Sequence, residues 1–177
     1  EGIAPAPDAA SEAHRRAQAL LAQGRAEEAL AALAAVPISS ADPLPWLDRA
    51  DAHLALGQLA EARYALTLAG VLDEADPAHR THSALSHAAY YRSQGQVDRA
   101  ITVLEGVARP QTERVSYDVA AFGRVPLPGL WLPSLARLAR TPEDLAVYRE
   151  LAQLYTDVGR PADAAWAEAE AVALAAM

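Results

Sequence analysis

The chain has 177 residues, enough for one domain with an elaborated end, and is 52% hydrophobic but only 6% aromatic. About a quarter of it is alanine, the strongest helix former, which argues for an all-α protein and against a β-sandwich or parallel sheet. The net charge of −8 runs against nucleic-acid binding, no apolar run approaches the roughly 18 residues of a membrane helix, and the absence of cysteine excludes disulfides, thiolate metal sites and a Cys nucleophile.

Residues 1–10 (EGIAPAPDAA) are small, Pro-rich and without periodicity, and read as a disordered tail. A start of this kind, with no Met, fits an exported, periplasmic or cell-envelope protein whose signal peptide has been removed. A trimmed cytoplasmic chain is the alternative.

From Ser11 onward four glycines recur in one setting: Gly24 in LLAQGRAEEAL, Gly57 in HLALGQLAEAR, Gly95 in YYRSQGQVDRAI and Gly159 in LYTDVGRPADAA. Each closes an apolar-periodic segment, and a second such segment follows a short polar turn. Five residues after the glycines stand Ala29, Ala62, Ala100 and Ala164; seven before them stand Ala17, Ala50, Ala88 and Ala152. Nine after come Leu33, Leu66, Leu104 and then Glu168, the exception. This spacing predicts antiparallel helix pairs. The glycine ends the first helix in a left-handed conformation, and the alanines let the two axes approach closely. Three pairs occupy residues 11–110 and a fourth, with an Ala-rich last helix, occupies 145–177.

Residues 111–144 break the pattern. They hold Pro126, Pro128 and Pro133 around Leu127, Leu130, Trp131 and Leu132, with Phe122 upstream. Internal prolines forbid regular helix through the middle; short helices are expected over 115–122 and 134–140, and Thr141 is expected to cap the next helix. An apolar insertion of this length is expected either to fold back into a groove or cap the array, or to dock on a partner or membrane complex through Phe122, Leu127, Leu130, Trp131 and Leu132.

The second unit reads Trp46, Ala50, His53, Gly57, Ala62, Leu66, with Pro77 beyond its end. This resembles the tetratricopeptide repeat (TPR) family, whose unit is a helix–turn–helix of about 34 residues with an aromatic, a small residue, a Tyr and later an Ala. The glycines lie 33, 38 and 64 residues apart, the last close to two periods. The resemblance covers about three-quarters of the chain and implies a right-handed α-solenoid of about four repeats with one Pro-rich insertion. The chain departs from the family eight residues before each glycine, where Leu is usual: it has Arg16, Arg49, His87 and only then Leu151. These could stack as a basic ladder, or their stems could pack while the tips reach solvent.

By the same resemblance, the concave face is lined by positions thirteen, ten, six and three residues before each glycine. In the first repeat these are Ser11, His14, Gln18 and Leu21. The expected partner-binding groove is centred on Leu44, Leu47, Asp51, Leu54, His82 and Leu85, with Arg92 and Arg149 on one side. Family members that clamp a C-terminal carboxylate use Lys and Asn, both absent here, so an apolar or amphipathic peptide suits these leucines better. His79, His82 and His87 do not converge on one helix face with a third ligand, so no metal site is expected. No phosphate loop or nucleophile elbow is present, and no cofactor or enzymatic activity is expected. The sequence thus points to a non-catalytic scaffold or adaptor binding a protein or peptide partner, within a cell-envelope assembly. The alternative is an obligate structural subunit of a homo-oligomeric or membrane-associated complex, packing through the insertion and last helix. Homo-oligomerisation is left open.

Overall fold

The structure, a computed structural model, describes residues 9–34, 36, 42–72, 79–109 and 144–176. These residues form eight α-helices and no strand: α1 (Ala9–Ala22), α2 (Ala26–Leu33), α3 (Leu44–Ala55), α4 (Leu59–Leu72), α5 (Arg80–Ser93), α6 (Val97–Ala108), α7 (Leu145–Asp157) and α8 (Pro161–Ala175). No helix among them is long and apolar enough to cross a membrane. α1 starts at Ala9, inside the segment expected to be a tail; Ala9 and Ala10 extend the helix because alanine carries no propensity cost. The expected insertion helices, the Thr141 cap, and Phe122, Leu127, Leu130, Trp131 and Leu132 lie outside the described residues.

All four repeat glycines have positive φ, between 70° and 73°. At each, the glycine N–H donates to the carbonyl three residues back and the next N–H donates to the carbonyl five back. At Gly57 the acceptors are Leu54 and His53, at 3.0 and 2.8 Å; at Gly159 they serve as Thr156 and Tyr155, at 3.1 and 2.8 Å. This double bond pattern is the Schellman closure, and it needs a residue that enters the left-handed region without a Cβ clash. The glycine therefore stops one helix and aims the next back along it.

Both alanine columns are buried. Ala17, Ala50, Ala88, Ala29, Ala62 and Ala100 have no exposure, and Ala152 and Ala164 have 8% and 6%. Leu33, Leu66 and Leu104 are also buried, whereas Glu168, the exception in its column, is exposed. At the start of α3, Asp42 Oδ1 accepts from the Leu44 N–H at 2.9 Å, and Pro45 occupies the first turn, where its missing N–H costs nothing.

The chain divides into two compact units, 1–100 and 101–177, with the boundary inside α6. In the first, α1 and α2 pack around Ala17, Leu20, Ala26, Ala29 and Leu33, joined by Ala52 of α3. Trp46, Leu47 and Ala50 of α3 pack against Ala65, Leu66 and Ala69 of α4. α3 touches α1, α2, α4 and α5, so it is the central element of this unit.

In the second unit, the end of α6 meets the last helix pair directly. The Tyr148 hydroxyl donates to the Ala108 carbonyl at 3.0 Å, and Tyr155 donates to Glu105 Oε1 at 2.5 Å. Arg109 reaches Asp163 at 2.8 Å and lies over the Trp166 ring at 4.6 Å. The fourth pair thus docks on the second helix of the third across a 50-residue sequence gap at Tyr155–Glu105.

Candidate partner-binding face

The first-helix positions of unit 1 bring most of the expected groove residues onto α1, α3 and α5. Leu44 and Leu54 of α3 and Leu85 of α5 are half-buried, so each keeps apolar surface in contact with solvent. Leu47 does not: it has no exposure and packs with Trp46, Ala50 and Leu66, backing the face from behind. Arg92 is exposed at the end of α5. Arg149 is exposed on α7, in the second unit.

Polar groups along the face are joined across helices. Asp51 Oδ2 of α3 meets His82 Nε2 of α5 at 2.8 Å, with both side chains partly exposed. One turn earlier, His14 Nδ1 of α1 pairs with Asp48 Oδ2 of α3. Asp48 has no exposure, and its Oδ1 has no hydrogen-bond partner among the described residues. Burial pushes its carboxyl up; the hydrogen bond and charge of His14, with the charge of His82, pull it down, and Asp51 raises it.

Asp48 is the residue that the sequence did not single out. Its column, nine before the glycine, reads Arg15, Asp48, Ser86 and Glu150, polar throughout and typical of a solvated helix side. Only packing by two flanking helices removes Asp48 from water. The available signal was Asp48 directly after the groove position Leu47, together with a histidine, His14, at the corresponding groove position of the neighbouring repeat.

Arg49 takes a role other than a basic ladder. Its Nη2 donates to the carbonyls of Leu33 and Val36, at 2.7 and 3.2 Å, and its guanidinium lies 4.5 Å from the Trp46 ring centroid. It thus caps the end of α2, where unpaired carbonyls and the helix dipole favour a cation. Burial lowers its pKa. Arg16 is exposed, and His87 Nδ1 donates to the Ser83 carbonyl at 2.8 Å within its own helix. Trp46 and Arg49 also line a cleft of about 590 Å³ with Ala34, Val36, His53, Ala60, Glu61, Tyr64 and Ala65. Tyr64, 64% exposed, stands edge-on to Trp46 with centroids 6.4 Å apart.

In the second unit, Asp163 accepts from Arg109 and Arg160, both at 2.8 Å, which holds its carboxyl below the usual range. Burial, together with the Glu105 hydrogen bond, raises the Tyr155 hydroxyl, so it stays a donor at neutral pH. These groups saturate one another and build a helix interface. Among the described residues, no group of three or more His, Asp and Glu side chains is placed to hold a metal ion. Comparison with protein-family models, curated proteins and solved structures gave no match.

Proposed function

We propose that this chain is a non-catalytic protein-binding scaffold, a right-handed solenoid of TPR-like helix pairs whose first-helix face takes an apolar or amphipathic segment of a partner. The observation that carries this reading is the row of half-buried Leu44, Leu54 and Leu85 on helices whose polar neighbours are already engaged with one another. Apolar surface framed by polar groups that pair with one another favours a ligand that brings side chains for burial over one that brings charges. The test is a peptide-display selection against the full chain. Enriched peptides should be apolar or amphipathic, and should lose at least tenfold in affinity for a Leu54→Asp/Leu85→Asp variant with unchanged helicity. Equal binding to the variant would overturn the assignment of this face.

A second reading, an obligate structural subunit, is favoured by the outer side of α8. Ala162, Ala165, Ala169, Ala173 and Ala176 are exposed there, and Val172 is 71% exposed. On this reading the chain self-associates, and Val172→Glu shifts its sedimentation to that of a monomer. A wild-type chain that sediments as a monomer at high micromolar concentration rules out self-assembly.

A further inference from the structure

Two carboxylate–imidazole pairs tie three first helices together, His14 of α1 to Asp48 of α3 and Asp51 of α3 to His82 of α5. Because Asp48 is fully buried and its Oδ1 lacks a hydrogen-bond partner among the described residues, its hydrogen bonding comes from the His14 side. The charged groups that act on it are His14 from α1, His82 from α5 and, repulsively, Asp51 from its own helix. Arg49, next along α3, is turned to the carbonyls of Leu33 and Val36. With both imidazoles neutral, the row carries two carboxylate charges, one of them desolvated. Each proton taken up by an imidazole adds a cation to a hydrogen bond already made to an anion, so that a coulombic attraction between opposite charges is added to the bond. Imidazoles as a class make this change between about pH 5 and 8.

We propose that the His14–Asp48–Asp51–His82 row makes the first-helix face proton-regulated, so that acidification from about pH 8 to about pH 6 tightens α1, α3 and α5 against one another. The regulatory meaning rests on the reading of this face as the partner-binding surface. The direction follows from linkage. Burial holds the Asp48 carboxyl above its unfolded value, so its contribution is fully present at low pH and is lost as pH rises through the folded value. The row is therefore firmer as pH falls and looser as pH rises.

The test uses the full chain without any partner, comparing pH 6 with pH 8. The thermal midpoint of unit 1 should rise by about 4–8 °C at the lower pH, and amide protection, corrected for intrinsic exchange, should increase in α1, α3 and α5 but not in α8. Asp48→Asn/Asp51→Asn should abolish most of this difference, whereas His53→Gln, at a residue paired with Gln58 on the turn, should retain it. Equal midpoints and equal α1 protection at the two pH values overturn the proposal, as does a pH difference that survives the double substitution. If the double variant does not fold, wild-type exchange decides: protection gained in α1, α3 and α5 alone supports the proposal, and protection unchanged or gained equally in α8 refutes it. No peptide enters these measurements, so a failed display selection leaves their outcome intact, and a flat pH response leaves the selection to be judged separately.

Discussion

Gly57 and Gly70 lie in the same compact unit, yet alanine at each should change stability in opposite directions. Gly57 has φ +71°, whereas Gly70 lies inside α4. At neither would an added Cβ meet another atom within 4 Å, so steric crowding drops out and the backbone alone decides. An L-residue in the left-handed region costs about 1–2 kcal/mol, so Gly57→Ala should destabilise by about 1 kcal/mol or slightly more. Gly70→Ala removes the entropic cost of glycine in a helix and should stabilise by about 0.5–1 kcal/mol. For a unit of about 100 residues, 1 kcal/mol corresponds to about 4–8 °C, so thermal melts followed by circular dichroism should separate the two variants by about 6–16 °C. Gly57→Asn should lose less than Gly57→Ala, because Asn tolerates the left-handed region better. If both alanine variants shift the midpoint the same way, the repeat glycines are not acting through backbone conformation, and the reading of the turn is wrong.

Ala50→Leu places three extra carbons in a site with no exposure, between Trp46, Leu47 and Leu66, and should cost about 1–3 kcal/mol in urea denaturation, whereas Ala60→Leu on the exposed side of α4 should stay within about 0.5 kcal/mol. Tyr148→Phe keeps the edge-on contact with Trp166, 5.7 Å between centroids, but leaves the Ala108 carbonyl without the hydroxyl; a loss of about 0.5–1.5 kcal/mol, read in the transition of unit 2, is expected. Arg49→Met keeps the stem over Trp46 and removes the donor to Leu33 and Val36, and should cost about 1–2 kcal/mol by chemical denaturation; Arg49→Lys should recover only part of this, since one ammonium cannot both stack and span two carbonyls.

The helix pairs were legible in the sequence because the determinants of a pair are local. A residue at positive φ must be glycine or close to it, and the positions that face across a hairpin are fixed by the helical period counted from that turn. The two alanine columns therefore marked buried positions in all four units, including the last, where Glu168 left the pattern and stands exposed. What one pair presents to the next depends on the offset and angle at which it lands, and no period in the sequence carries those. Leu47 departs even within its own pair: the groove column carried over from the family resemblance placed it on the open face, but it packs with Trp46 and with Leu66 of α4 and has no exposure.

The column eight residues before the glycine shows why the site was harder to read than the fold. Arg16 is exposed, Arg49 caps α2, His87 bonds within its own helix and Leu151 is fully buried, four environments at one repeat position. The need they answer is shared at the level of the interface. The second helices α2 and α6 end in carbonyls that a side chain of the following pair covers. Between α2 and α3 the donor is Arg49, eight before its glycine; between α6 and α7 it is the Tyr148 hydroxyl, eleven before. The same requirement is met by different side chains at different positions, so it leaves no column behind. Asp48 follows the same logic. Its partner His14 sits 34 residues away in the preceding repeat, and only the stacking of α1 on α3 turns two unremarkable polar residues into a buried pair. Cross-repeat chemistry of this kind is what joins α1, α3 and α5, and it is where the proposed partner-binding face would acquire its proposed sensitivity to protons.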